Sequence, residues 1–243
     1  MGRATTLLIG VALCWTAAAP RIASTANSFP DATLPVFDAS QFGSSTTIDN
    51  PYFPLRLGTV FVYEGTPRGQ GQHTEVRVTR DTKMIMGVAC VVVHDQVWAK
   101  GELLEDTFDW YAQDRAGNVW YMGEQTTEYK NGVAATSSGS WEAGVNGAKP
   151  GYIMAAHPEV GQTYQQEYLA GEAEDQAQVT STSESARVAY GVWSGNVLVT
   201  REWSPLEKAV YESKYYAFGV GMVKVETLKG GSETSELVEI RNE

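Results

Sequence analysis

Residues 102–124 decide the fold: Glu102-Leu103-Leu104-Glu105-Asp106-Thr107-Phe108-Asp109-Trp110-Tyr111-Ala112-Gln113, a break at Asp114-Arg115-Ala116-Gly117, then Asn118-Val119-Trp120-Tyr121-Met122-Gly123-Glu124. Successive side chains of a strand point to opposite faces. Leu104, Asp106, Phe108, Trp110 and Ala112 would share one face, and Glu105, Thr107, Asp109, Tyr111 and Gln113 the other. Asp and Asn suit the ends of the break and Gly117 tolerates positive φ, so the stretch reads as a hairpin. The second face is polar along its length. It looks either into solvent or into a cup lined by carboxylates and a phenol.

The same period of two extends in both directions. It runs through residues 58–64, 73–82, 85–98 (interrupted at Gly87), 163–169, 176–188, 196–203, 211–218, 222–229 and 236–241, with glycine-containing turns between. No segment holds three-four apolar spacing for more than about two turns of helix. Residues 139–158 show neither period and read as a long irregular connection, a kind that is often functional and that here would act as a lid. The expectation is an all-β chain, an antiparallel meander of about ten to twelve strands closing into a calycin- or lipocalin-like barrel or half-barrel, with a β-sandwich as the alternative. Closure would remove the strand edges that invite aggregation.

The first residues point to export. Arg3 precedes an apolar run at residues 7–19, followed by small residues and a cleavage site at Ser24-Thr25-Ala26. The run is too short for a bilayer, which needs roughly 20 apolar residues, so no stable membrane insertion is expected. The division expected is a signal peptide at 1–26, an extended arm at 27–50 and a single domain at 51–243, in a protein that is secreted or periplasmic. Losing residues 1–26 would remove Arg3 and Arg21, taking 18 basic residues to 16 against 29 acidic, and the charge from −11 to −13. That balance excludes nucleic acid as a partner, because such binding is carried by basic side chains on phosphates. Cys90 would then be the only cysteine, so the core must hold without an internal disulfide. It lies in the apolar run at 88–93 and reads as an inert buried thiol.

Two functional readings share one set of residues. In the first, the protein binds a small molecule in an aromatic cup, with Trp110, Tyr111, Trp120 and Trp141 as walls and His94, Asp109, Glu124 and Glu167 as polar contacts. In the second it is a lyase or hydrolase without a cofactor, with His94 or Tyr111 as base and Asp109 or Glu167 orienting or protonating the substrate. A third reading is an envelope component recognising another protein through an exposed apolar patch. No metal is expected. His73, His94 and His157 lack ligand spacing, and Asp106, Asp109, Asp114, Asn118 and Glu124 lack the oxygen density of a calcium loop. Carboxylates recur at Glu167, Glu172, Glu174 and Asp175, and Glu212 and Lys214 alternate with Tyr211, Ser213 and Tyr215.

Several phrases resemble a family of exported bacterial β proteins: Asn50-Pro51-Tyr52-Phe53-Pro54-Leu55 leading into Gly58-Thr59-Val60-Phe61-Val62-Tyr63-Glu64-Gly65, then Asp106-Thr107-Phe108-Asp109-Trp110-Tyr111-Ala112-Gln113-Asp114. Gly117-Asn118-Val119-Trp120-Tyr121, Gly139-Ser140-Trp141-Glu142-Ala143-Gly144 and Lys214-Tyr215-Tyr216-Ala217-Phe218-Gly219-Val220-Gly221 fit as well. The resemblance spans residues 50–240. It implies one domain and export, and it brings no catalytic residues with it.

Overall fold

The structure is a computed structural model that describes residues 32–65, 71–207, 210–231 and 233–243; the expected signal peptide lies outside them. Their regular structure is one 15-stranded sheet and a short 3-10 turn at Ala39–Gln41. A first meander runs through β1 (Thr59–Gly65), β2 (Gln72–Ile85), β3 (Val88–Ala99), β4 (Glu102–Gln113) and β5 (Val119–Lys130). Three short strands, β6 (Val133–Thr136), β7 (Trp141–Glu142) and β8 (Lys149–Met154), all pair with β5. After β9 (Thr163–Gln165) and β10 (Glu167–Tyr168), a second meander runs through β11 (Gln176–Arg187), β12 (Val192–Trp203), β13 (Tyr211–Ala217), β14 (Gly221–Lys229) and β15 (Thr234–Asn242).

The two meanders are joined twice. β15 lies antiparallel to β1, pairing Gly65 with Ser235. On the other side β9 pairs with β11 while β10 pairs with β8, and only Gln166 separates β9 from β10. One run of chain therefore stitches both remaining edges, and the sheet nearly closes into a barrel. The all-β barrel expectation holds. The strand count exceeds ten to twelve because strands of two to four residues are too short to show a period.

Two readings of the sequence are corrected. Gly87 does not interrupt a strand; with Met86 it forms a hairpin turn, and both residues have positive φ (47° and 82°), as a two-residue turn of that hand requires. Residues 139–158 are not a lid but wall, since β7 and β8 complete the sheet beside β5. Pro150 and Gly151 broke the alternation there, and pairing at the seam fixes the strand in spite of them.

Gly151 is where the seam is tightest. A methyl on its Cα would collide with the carbonyl oxygen of Gln165 and the backbone of Gln166. Backbone cannot step aside as a side-chain tip can, and overpacking of this kind costs about 3 kcal/mol. Gly151→Ala is expected to lower the unfolding free energy measured by urea denaturation by that amount, whereas Gly147→Ala, with open space around it, tests the turn alone. Equal losses in the two variants would show that the seam does not depend on this close approach.

Alternation sorts the wall. On β3, Val91, Val93, Asp95 and Val97 are buried inside, while Val92, His94, Gln96 and Trp98 are half-buried outside. Residues 32–55 lie along the outside and across one part of the interior. Phe37 and Phe42 pack on Trp120 at 5.6 and 5.8 Å between ring centres. The Asn50 amide donates to the carbonyls of Gly117 (3.0 Å) and Ala155 (3.1 Å). The arm is thus part of the packed structure over these residues, with Phe42, Ser45, Ile48 and Asn50 buried.

Candidate functional site

The polar face of β4 turns inward. Glu105, Thr107, Asp109 and Tyr111 are all buried, which decides between solvent and cup. β5 supplies the facing groups. A bulge between Trp110 and Tyr111, opposite Gly123, resets its alternation so that Tyr121, Glu124 and Thr126 point to the same interior. The Tyr121 hydroxyl donates to Asp109 Oδ1 (2.8 Å), its ring stacks on Tyr111 at 5.1 Å, and Asp109 sits directly across the ladder from Glu124. The Thr107 and Thr126 hydroxyls are bonded to each other.

Other strands add more acid. Asp95, Glu167, Asp175, Glu202 and Glu212 are buried as well, against one buried cation among the described residues, Lys214. Lys214 Nζ lies 2.8 Å from Glu202 Oε2, with each side chain 2% exposed. Burial works against its charge, and Glu202 and Glu212 outweigh burial, so it stays an ammonium. A carboxylate stripped of water favours its neutral form. Burial accordingly pushes Asp109 and Glu212 up to about 7 and Glu105 and Asp175 up to about 8. Asp95, Glu124 and Glu167 rise well above the usual carboxylate range, from burial first and then from neighbouring carboxylates. Tyr121 and Lys214 work the other way on Asp109, holding it lower than burial alone would. Asp95, Glu167, Asp175 and Glu212 each keep one buried oxygen outside any hydrogen bond.

A pocket opens onto this interior. Asp109 and Tyr111 lie at its polar side, and Phe53, Phe61, Tyr63 and Met222 form much of its apolar wall. Its cavity of about 30 Å³ exceeds the roughly 10–15 Å³ that one water needs, and falls far below a site for a whole drug-sized ligand. The Tyr63 hydroxyl donates to the Met222 carbonyl (3.0 Å), which fixes that ring, and Phe53 meets Tyr111 edge-on at 5.4 Å.

The expected site residues divide between the two sides of the wall. Asp109, Tyr111, Glu124, Glu167 and Trp141 are on the inside, where Trp141 meets Tyr121 edge-on at 5.2 Å and its indole N–H approaches Glu167 without closing a hydrogen bond. His94, Trp110 and Trp120 are on the outside, because each is one residue out of step with the inward set. His94 Nε2 bonds Asp106 Oδ1 at 2.6 Å and its ring stacks on Phe108 at 4.3 Å. Lys83 sits over the Trp110 ring, and Trp120 lies under the arm with its indole N–H donating to Asp114 (2.9 Å). His94 therefore cannot share a substrate atom with Asp109, and Trp110 and Trp120 do not line the cup. Asp114 also accepts from the backbone and amide of Asn118, so this segment is a hairpin turn. Among the described residues, no three of His, Cys, Asp and Glu converge to hold a metal ion.

Reading the sequence missed Asp95, Glu202, Met222 and the wall made by Phe53. The signal for Asp95 was present, since it continues the inward face of Val91 and Val93. Nothing local marked Phe53, which reaches the pocket from a segment outside any strand.

Fold and site together define a nearly closed antiparallel β-barrel with an acidic interior and a largely apolar pocket beside it. Comparison with protein-family models and with curated protein sequences found no match. Among solved structures the chain is similar to a candidate exported protein with YmcC-like fold from Bacteroides fragilis, at 15% identity and a TM-score of 0.47, covering 79% of this chain and 99% of that one. A candidate lipoprotein from Parabacteroides distasonis matches at 15% identity and a TM-score of 0.36, over the same shares. No helix among the described residues is long and apolar enough to cross a membrane.

Proposed function

We propose that the protein is exported and binds a small molecule whose end enters the pocket beside Asp109 and Tyr111. The observation that carries this reading is the convergence of an apolar wall on one buried, titratable carboxylate. The small cavity favours a ligand that inserts a tip and leaves its remainder near the segment containing Phe53 and Pro54. Export is supported by the residues at 1–26, as read from the sequence.

Binding is favoured over catalysis for a chemical reason. Acid–base work needs two titratable groups on one substrate atom, each with a pKa near the working pH. Beside Asp109 the pocket offers the Tyr111 phenol, which burial and the charges of Asp109 and Glu124 hold far above its ordinary value.

The methionine methyls give a direct test. Met222 lines the pocket, while Met84 and Met86 are exposed at the β2–β3 turn. On the methyl-labelled protein, a ligand released from material purified out of the exporting host is expected to move the Met222 resonance and leave Met84 and Met86 in place. Met222→Trp, which fills the space, is expected to weaken binding at least about tenfold, about 1.4 kcal/mol. A ligand that binds without disturbing Met222, and equally to the Trp variant, would place the site elsewhere.

A further inference from the structure

We propose that the pocket selects for positive charge, taking the ammonium end of a small alkylamine against Asp109 with the alkyl part on the surrounding rings. This rests on the reading of the pocket as a ligand site and adds the chemical class of the ligand.

Three observations carry it. The first is the composition of the lining. Asp109 is its one charged group, and four aromatic rings (Phe53, Phe61, Tyr63 and Tyr111) stand around it. A carboxylate among aromatic rings is a setting that suits an organic cation, because a ring face attracts positive charge. The second is the charge of what lies behind. Among the described residues eight carboxyl groups are buried in the barrel interior against one lysine, and that lysine is already engaged by Glu202, so an anion entering beside Asp109 joins an acid-rich site, whereas a cation can pair with Asp109 in its ionised form. Buried charge is tolerated when it is paired. The third concerns the donors already in place. Tyr121 occupies Asp109 Oδ1, the Tyr63 hydroxyl is committed to the Met222 carbonyl, and Lys214 is committed to Glu202. A ligand bearing hydrogen-bond donors suits the remaining carboxylate oxygen, and an ammonium donates in a charge-assisted bond.

The size agrees. A cavity of about 30 Å³ admits a primary ammonium and its first carbons. A bulky quaternary head would require the 51–55 segment to move.

Three probes of one shape separate charge from fit: n-propylammonium, propan-1-ol and propionate, each titrated into the purified protein by calorimetry and by the Met222 methyl resonance. The amine is expected to bind at least about tenfold more tightly than the alcohol, with propionate weakest. In Asp109→Asn the preference for the amine over the alcohol is expected to vanish while alcohol binding persists. Should amine and alcohol bind equally, or propionate best, the charge class is overturned while the pocket stands as a ligand site. Should none of the three move Met222, the pocket reading falls and the amine proposal with it. An Asp109→Asn protein that retains the full preference would also overturn the proposal, and the comparison of probes on the unaltered protein holds whether or not that variant folds.

Discussion

Heated at pH 5, the protein is expected to unfold at least about 10 °C higher than at pH 9. The cause lies in the interior carboxylates. Asp95, Glu105, Asp109, Glu124, Glu167, Asp175 and Glu212 all have folded pKa values raised above those of the unfolded chain. A group of this kind binds its proton more tightly when folded. Its contribution is complete below about pH 4, the unfolded value, and is lost as pH rises through the folded value. For the four groups near 7 to 8 the window of loss is therefore about pH 4 to 8, and the other three extend it upward.

The magnitude follows from one group. A rise of about 3 pKa units corresponds to about 4 kcal/mol, and at roughly 2–4 °C per kcal/mol that already approaches 10 °C. Several such groups ionising together would rival the whole stability of a domain, about 5–15 kcal/mol. Surface pairs act in the opposite sense: Arg77 lowers Glu243, and Arg241 lowers Glu75 despite that residue's partial burial. Their share is lost as pH falls below about 4, which places the optimum near pH 4. A melting temperature that is flat from pH 5 to 9, or higher at pH 9, would mean that the interior acids are compensated by something other than protons.

Lys214→Met is expected to destabilise the protein by about 3–5 kcal/mol, seen as a fall of about 10 °C in melting temperature at neutral pH. The ammonium is held 2.8 Å from Glu202, and both side chains are out of solvent. Without it Glu202 loses its buried ion-pair partner, and Asp95, Asp109, Asp175 and Glu212 lose the positive charge that favours their ionised forms. The loss is one of compensation rather than of packing, so a second change should repair it. Glu202 Oε1 accepts from the hydroxyls of Thr200 (2.7 Å) and Tyr216 (3.2 Å). Glutamine keeps that acceptor without the charge. In Lys214→Met with Glu202→Gln, at least about 2 kcal/mol should return, measured as the coupling in a double-mutant cycle. A double variant no more stable than the single one would show that the lysine stem, not the ion pair, was the important part.

The fold was legible because its long strands repeat with period two, and residues 102–113 or 211–217 display that pattern even in isolation. What the pattern could not convey is which face is inside. A polar row such as Glu105-Thr107-Asp109 reads as solvated by default, since a sheet ordinarily buries its apolar side. Here β4 buries both faces: Trp110 and Ala112 under neighbouring chain, and Asp109 and Tyr111 in the barrel. That also explains the division among the expected site residues. The aromatic residues drew attention by type, and Trp110 and Trp120 belong to the outer cover, whereas Trp141 lies inside. The acidic interior is assembled from six separate strands and the segment at Asp175. No local spacing announces it, and only the closing of the sheet brings the acids together.

That closing has a consequence for biogenesis. β15 follows the other strands of the barrel in the chain, and it fits between β14 and β1, so until it has been made both neighbours expose unpaired edges. Its ladder to β1 joins the two extremes of the domain, which makes it the slowest kind of contact to form. A chain emerging N-terminus first can assemble β1–β5 from local hairpins but cannot finish the barrel. If it crosses a membrane as the sequence suggests, the half-made sheet on the far side is the stage most exposed to aggregation and most in need of a chaperone.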